Sequence, residues 1–445
     1  MFSQRTRQRY PLTLPPGELV RFTCGQLFDL HQGEHLGNAT LPLSTAAHPI
    51  SVSRLLSANG YFTGNIGKHH VGPMDVYAFD FMRTIDTGYD VLQVGRNITA
   101  MKKYMLQFFD ALSELSEGTP FFLYMAFIDT HRGCNDERGP FCNRWGNGSE
   151  AMGSIPDWTP VTYDADTLSL PFWVPDTAEA RSDYAQYLEA YSRLDQGVGL
   201  FLEVLKDKGH LDDTLIVFAS DNGEPFPSAK TNLYEQGQIE PFLVSIPEFW
   251  QSSFEGEGPL FSDFAVSTTD VLPTVLEWTG VAYPKYALNG AEVVLTGQSL
   301  LSIVQQRVTA NSRATNIFGS HIFHEATMYY PMRSARNAQF RLIRNLNWRA
   351  PFHIAGDLYH SPTWQTVLDD ADHGQPTEWF KNLSAYYFRD EWELFDVVND
   401  PTQTQNLAQN AKYSDVFDAL SKNLSEWMLL TNDPWANCNA NYACS

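Results

Sequence analysis

The chain has 445 residues, with 30 Lys+Arg against 52 Asp+Glu, a net charge of -22. That length predicts two domains rather than one ordinary core, and 43% hydrophobic with 18% charged residues excludes a disordered chain. So acidic a balance excludes a nucleic-acid partner, which needs a basic face; it suits an acidic compartment, where carboxylates and histidines take up protons.

The opening, MFSQRTRQRYPLTLPPGELVRF, has arginines but no apolar stretch behind them, so it is not a secretory signal. Ile50 to Asn59 carries apolar residues at helical spacing and ends at Gly60, a helix stop. Tyr61–Ile66 predicts a buried strand and Pro120–Phe127 a second. The longest apolar run, FFLYMAFI at Phe121–Ile128, falls far short of the roughly 20 residues of a membrane span. From Glu179 to Lys208, Tyr184, Leu188, Tyr191, Leu194, Val198, Phe201 and Leu205 recur every three or four positions, which predicts one long amphipathic helix. Thr214–Ala219 is a third, wholly apolar strand. Helices alternating with apolar strands predict an α/β fold, a large mostly parallel sheet flanked by helices. After about residue 305, short segments such as Phe340–Ile343 and Trp392–Val397 predict a smaller C-terminal antiparallel sheet domain, closed by a helix over Ser414–Met428.

The cysteines and sequons speak for an oxidising, secretory route. Cys134 and Cys142 bracket a short polar loop, Cys438 and Cys444 bracket the C-terminus, and each pair is spaced to close a small disulfide loop, leaving Cys24 over. A zinc site is the weaker reading, since no C-x-x-C occurs. N-x-Ser/Thr sequons stand at Asn38, Asn97, Asn147, Asn382 and Asn423.

Each predicted strand of the large sheet runs into a polar cluster: Lys68, His69 and His70; Asp129, His131 and Arg132; Asp221 and Asn222. Ligands of open α/β sheets bind beyond the carboxyl ends of strands. Asp and Asn oxygens suit a hard cation, while Lys, His and Arg suit a tetrahedral anion. Each cluster alone also reads as a polar loop.

The phrases around these clusters resemble the sulfatase family. SANGYFTGNIGKHHVGP, Ser57–Pro73, resembles its Gly-Tyr-x-Thr…Gly-Lys-x-His signature; FIDTHR resembles its histidine loop, SDNG its calcium loop and KTNLYEQG, Lys230–Gly237, a segment bringing a further cation to sulfate. WELFDVVNDPTQTQNLA, Trp392–Ala408, resembles the family's C-terminal pattern, and VLQVGRNIT, MGSIPDWTP, RLDQGVGL, SDNGEPFPS and YYPMRS point to the N-sulfatase branch. The likeness runs from about Gln26 to the C-terminus and implies a catalytic α/β domain over 26–305 and an α+β domain over 306–445.

The resemblance implies a hydrolase removing N-linked sulfate from glucosamine residues of heparan sulfate, in glycosaminoglycan degradation. Its nucleophile would be a formylglycine held on a calcium ion. It further implies Asp221 and Asn222 as calcium ligands, Lys68 and Lys230 on sulfate oxygens, His70 on the nucleophile and His131 at the leaving group. Arg132 would add charge for substrate, and His324 and Glu325 would line the sugar pocket, a buried paired histidine being the other reading of His324. His69 falls at a position that the motif leaves free and reads as structural or rim. Lysosomal or secreted glycoprotein, a formylglycine-generating enzyme as partner and a homodimer also come with the resemblance.

The chain departs from the family in three places. Lys230 stands where relatives often carry arginine, so a point charge replaces a bidentate fork. Asp129-Thr130-His131 replaces Asp-Pro-His. No paired aspartates and no Cys-x-Pro-Ser-Arg occur before Gly67, and residues 1–25 resemble nothing in the family. The expectation is an unrelated or mis-assigned opening in place of the family's first strand, which would leave the large sheet with an exposed neighbour. Two alternatives stand beside it: a catalytically dead glycan-binding relative, or another alkaline-phosphatase-like hydrolase, which would need further Asp/His zinc ligands at the strand ends.

Overall fold

The computed structural model describes residues 51–69, 77–84, 94–134, 137–247, 266–304 and 316–436, apart from 286, 289–290, 293, 323, 325–327, 432 and 434. Helix α1, Val52–Ser57, leads through the turn at Gly60 into β1, Phe62–Gly67. β1 is the middle strand of a parallel sheet, between β2, Phe81–Thr84, and β3, Phe121–Ala126. Helix α2, Ile98–Ser113, starts where the Asn97 side chain accepts the Ala100 N–H at 3.0 Å. It buries Met101, Met105, Phe108 and Phe109 against Ile66 and Phe81. Strands β4, Arg132–Cys134, and β5, Glu137–Phe141, form a small antiparallel ribbon.

The predicted long helix is α3, Ala178–Asp207, capped by the Thr177 hydroxyl, and its Phe201, Val204 and Leu205 join α2 on that face of the sheet. On the other face, α4, Val271–Thr279, packs Val275 and Leu276 against Leu55 and Leu56 of α1, with Phe122 of β3 at the margin. The sheet is therefore covered on both sides, as its apolar strands require.

The third apolar strand lies elsewhere than expected. It is observed as β6, Ile216–Ala219, and pairs antiparallel with β7, Phe242–Ser245, instead of joining the parallel sheet. An apolar run reports that a strand is buried, not which neighbour takes its hydrogen bonds. The interval between β3 and β6 is a cavity of about 1610 Å³ lined by both strands.

The C-terminal part is a four-stranded antiparallel sheet in the order β8, Ile317–His321; β9, Met332–Arg336; β10, Phe340–Asn345; β11, Trp392–Asp396. Side chains alternate across it. Ala335, Leu342 and Leu394 stand opposite one another in register and bury Leu420, Leu424 and Met428 of α6, Ser414–Leu430. Ile343 and Phe395 face the opposite way, toward Trp364 of α5, Pro362–Asp372, and toward Tyr386. The expected boundary near residue 305 falls outside the described residues.

Candidate functional site

β1 can end as it does only because residue 67 is glycine. Its φ is +105°, and a Cβ there would lie 1.9 Å from the Ala126 carbonyl oxygen. That close approach lets the Lys68 N–H donate to the same carbonyl at 3.0 Å, which fixes Lys68 beyond the sheet. Its Nζ lies 4.0 Å from Asp221 Oδ2 at the end of β6. Burial pulls the Lys68 pKa down, and Asp221 opposes that.

At the end of β3, His131 faces Lys230 and Asp357. His131 Nδ1 lies 2.5 Å from the Arg132 carbonyl oxygen, so the neutral ring carries its proton there and donates it. Nε2 then accepts from Lys230 Nζ at 3.2 Å, with Asp357 Oδ2 3.8 Å away. The Lys230 charge, joined by burial, holds the His131 pKa well below its ordinary value. Lys230 Nζ donates to Asp357 Oδ2 at 2.5 Å. Burial works to raise the Asp357 pKa, but Lys230 and His131 overcome it and hold the carboxyl well below the usual range.

The loop carrying Lys230 is over-determined. Ser228 and Thr231, at φ 66° and 68°, flank Lys230 in the left-handed region, which a β-branched threonine seldom adopts. The C-terminal part clamps it: the Tyr386 hydroxyl accepts from Ser228 N–H at 3.3 Å and from Asn232 Nδ2 at 3.0 Å, and Arg389 donates to Asn232 Oδ1 at 2.8 Å. A Cβ on Gly223 would meet the Gln236 carbonyl oxygen at 2.4 Å, which ties the glycine after Asp221-Asn222 to the same packing.

The result is a cluster of two ammonium groups and one neutral imidazole around a single buried carboxylate, at the carboxyl ends of β1, β3 and β6. Lys230 keeps a third N–H beyond Asp357 and His131, and Lys68 is only loosely engaged by Asp221. Such donors suit the oxygens of a tetrahedral anion. For a cation the fit is poor. Among the described residues no group of three or more His, Cys, Asp or Glu is placed to hold a metal ion. The Asp221 side chain is 60% exposed, and the Asn222 amide nitrogen already donates to the Gly223 carbonyl. Calcium takes six to eight oxygens, so these two residues are at most a part of its shell.

Arg132 departs from expectation. Its guanidinium is buried, donating to Asp183 at 2.9 and 2.8 Å and to the carbonyls of Gly139 and Pro225, and it stacks over Phe141. Four of its five N–H groups are engaged and the side chain is fully buried, so it is not presented to substrate; only its backbone carbonyl, which accepts from His131 Nδ1, serves the cluster. His69 is buried against the Tyr77 carbonyl and Phe79, as the structural reading held. His324 lies near enough to Asp357 for its charge to lower that carboxyl further. His70, Glu325, Cys24, Cys438, Cys444 and Asn38 lie outside the described residues. Cys134 and Cys142 are joined by a disulfide. Asn97, Asn147, Asn382 and Asn423 are half-buried or exposed. Asp357 was not anticipated from the sequence; its one signal is a lone carboxylate in the otherwise apolar stretch Ile354-Ala-Gly-Asp-Leu-Tyr359.

The sulfatase family model matches residues 31–281. The chain belongs to the sulfatase family. It is 44% identical over 418 residues to human N-sulphoglucosamine sulphohydrolase, covering 92% of this chain and 78% of that one. It is 26% identical over 340 residues to an ulvan-active sulfatase of Formosa agariphila, covering 72% of this chain and 53% of that one. Among solved structures, a putative sulfatase of Bacteroides fragilis superposes with a TM-score of 0.59 at 18% identity, over 96% of this chain and 87% of that one. A protein solved in complex with its substrate D-glucosamine-2-N,6-O-disulfate superposes with a TM-score of 0.53 at 17% identity, over 94% and 88%. At such identities these likenesses speak for the sulfatase fold alone.

Proposed function

We propose that this sulfatase removes sulfate from the glucosamine nitrogen of heparan-type glycosaminoglycan fragments. The observation that carries the reading is the cluster of Lys68, Lys230 and neutral His131 around buried Asp357, joined to 44% identity with the human N-sulphoglucosamine enzyme. Lys68 and the spare N–H of Lys230 hold sulfate oxygens. A proton placed on His131 Nε2 is poorly held beside Lys230, so the imidazolium gives it up readily to a departing amine nitrogen. His324 and Glu325 are proposed for the sugar side and His70 for the nucleophile. Formylglycine would supply the attacking hydroxyl, and a divalent cation, calcium by the resemblance, would orient it. The Cys-x-Pro-Ser-Arg source of formylglycine does not occur in this sequence and the cation shell is partial, so no step is derived through either. Four sequons on half-buried or exposed asparagines and the Cys134–Cys142 disulfide support a lysosomal or secreted setting.

The test is sulfate release from an N-sulfoglucosamine substrate, with the formylglycine-generating enzyme present. It is run on the chain as given and on one with a family-type opening carrying the aspartates and Cys-x-Pro-Ser-Arg. Hydrolysis is expected from the second, and Lys68→Ala in it should lower turnover about 10²–10³-fold, the typical cost of one oriented transition-state donor. Near-normal turnover by Lys68→Ala, or release of O-sulfate without N-sulfate, would refute the proposal.

A further inference from the structure

The cluster contains one group that an anion site alone does not call for. The Asp357 side chain is 9% exposed and sets a negative charge directly against Lys230, a proposed sulfate donor. A carboxylate there repels the anion that the lysines would hold, and its burial costs desolvation besides. Its placement is one-sided. Oδ2 lies 3.8 Å from His131 Nε2, the atom proposed to protonate the leaving group, whereas Lys68 has Asp221 as its carboxylate neighbour. Asp357 also feels the charge of His324, proposed for the sugar side. It therefore adjoins both the groups proposed for sulfate and one proposed for sugar, and the atom that joins sulfate to sugar is the glucosamine nitrogen. The carboxylate is not saturated. Among the described residues Oδ1 accepts from the Leu358 N–H at 2.8 Å and Oδ2 from Lys230, two of the roughly four acceptor positions that a carboxylate offers.

We infer that Asp357 receives the glucosamine nitrogen as an ammonium and thereby selects N-sulfate over O-sulfate. This rests on the function proposed above and names the group that sets its specificity. Water splits a sulfamate into an ammonium and a sulfate dianion. It splits a sulfate ester into a neutral alcohol, a sulfate dianion and a free proton. Only the first reaction leaves a positive charge on the bridging atom. Lys68, Lys230 and a protonated His131 would repel that charge, and Asp357 is the one buried carboxylate beside them to offset it. Sulfate oxygens bound to Lys230 balance the lysine in that complex, which leaves the Asp357 charge to the nitrogen. An anchor for Lys230 alone would not distinguish nitrogen from oxygen.

Ligand-observed NMR on the full chain tests this with glucosamine and glucose, which differ by ammonium against hydroxyl at the carbon that bears the leaving group. The titration is run at about pH 5.5, where the amine is protonated, with inorganic sulfate present and about 0.3 M sodium chloride to screen the net charge. Glucosamine should bind at least about tenfold tighter than glucose, the typical effect of a hydrogen bond to a charged group. Asp357→Asn keeps an oxygen for Lys230 but not the charge, and should shrink that preference to less than about twofold. Equal binding of the two sugars by the native chain would overturn the inference, a result that needs no variant to fold. So would a preference retained in full by Asp357→Asn, which would give the ammonium to another carboxylate. Turnover of an N-sulfoglucosamine substrate is read separately. Turnover with equal sugar binding would overturn this inference alone, and a glucosamine preference without turnover would refute the proposed function while upholding the ammonium site.

Discussion

The Lys230–Asp357 pair can be taken apart by a double-mutant cycle. The two side chains are 3% and 9% exposed, with Nζ and Oδ2 2.5 Å apart. Removing one partner of a buried pair leaves the other charge uncompensated, at a cost of about 3–5 kcal/mol. Lys230→Met and Asp357→Asn should each lose that much in urea unfolding at pH 7. The double variant should lose at least about 2 kcal/mol less than the sum, because neither charge is then stranded. The pH dependence adds a check. In the native protein the His131 pKa is depressed, chiefly by Lys230, so its share of stability is present above the unfolded value near 6.5 and is lost as pH falls. In Lys230→Met that repulsion is gone while Asp357 remains 3.8 Å away, so the His131 pKa rises and imidazolium takes over as the counter-ion in acid. The loss in Lys230→Met should therefore be smaller at pH 5 than at pH 7, whereas Asp357→Asn should show the reverse. Single losses that simply add, within about 0.5 kcal/mol, would refute the coupled cluster.

Arg132→Met should cost about 3–5 kcal/mol in denaturant unfolding by stranding Asp183, yet leave sulfate affinity of the folded protein unchanged; a large affinity loss would return Arg132 to the substrate. Cys142→Ser should cost about 2.5 kcal/mol in the same assay, the loop-closure value for so short a loop. Burial sets the His321 pKa down to about 4, so its stabilising share is present above about 6.5 and lost as pH falls through 4. His321→Gln should accordingly flatten the acid limb of a stability–pH profile, and an unchanged limb would reject that role.

How far the sequence shows the site depends on which way neighbouring side chains point. Lys68, His131 and Asp221 were legible because each ends or follows an apolar run, and strand ends are where an α/β sheet presents its ligand groups; Lys230 follows no such run and came only with the resemblance of Lys230–Gly237. Arg132 and His69 were harder, since each sits next to a site residue in sequence. Along extended chain consecutive side chains point to opposite faces, so Arg132 turns inward to Asp183 as His131 turns outward, and His69 turns to Tyr77 as Lys68 turns to Asp221. Asp357 follows no periodic segment and joins the cluster only because the C-terminal sheet docks on the Lys230 loop. That is a long-range event which no local pattern encodes. The antiparallel β6–β7 pairing was missed for the same reason: hydrophobicity reports burial but not partner.

The placement of charge separates scaffold from site. Arg193 and Arg96 share Asp129, Arg132 has Asp183 and Arg333 has Asp433, each guanidinium buried against a carboxylate. Arg132–Asp183 and Arg333–Asp433 neutralise themselves, and the two arginines on Asp129 spend their remaining N–H groups on backbone carbonyls of Gly133, His131, Cys142 and Trp145, so none of the four is turned to a ligand. Lys68 and Lys230 differ: between them stand one buried carboxylate, Asp357, and one exposed carboxylate 4.0 Å from Lys68. The net charge of -22 sets the opposing condition, because a polyanionic substrate is repelled from most of the surface. Screening confines that repulsion to about 8 Å at physiological ionic strength, and protonation of surface carboxylates in acid weakens it further. On the proposed function, an anionic glycan would be held by the few short contacts at the strand ends, and an acidic medium would favour its approach without neutralising the lysines proposed to receive it.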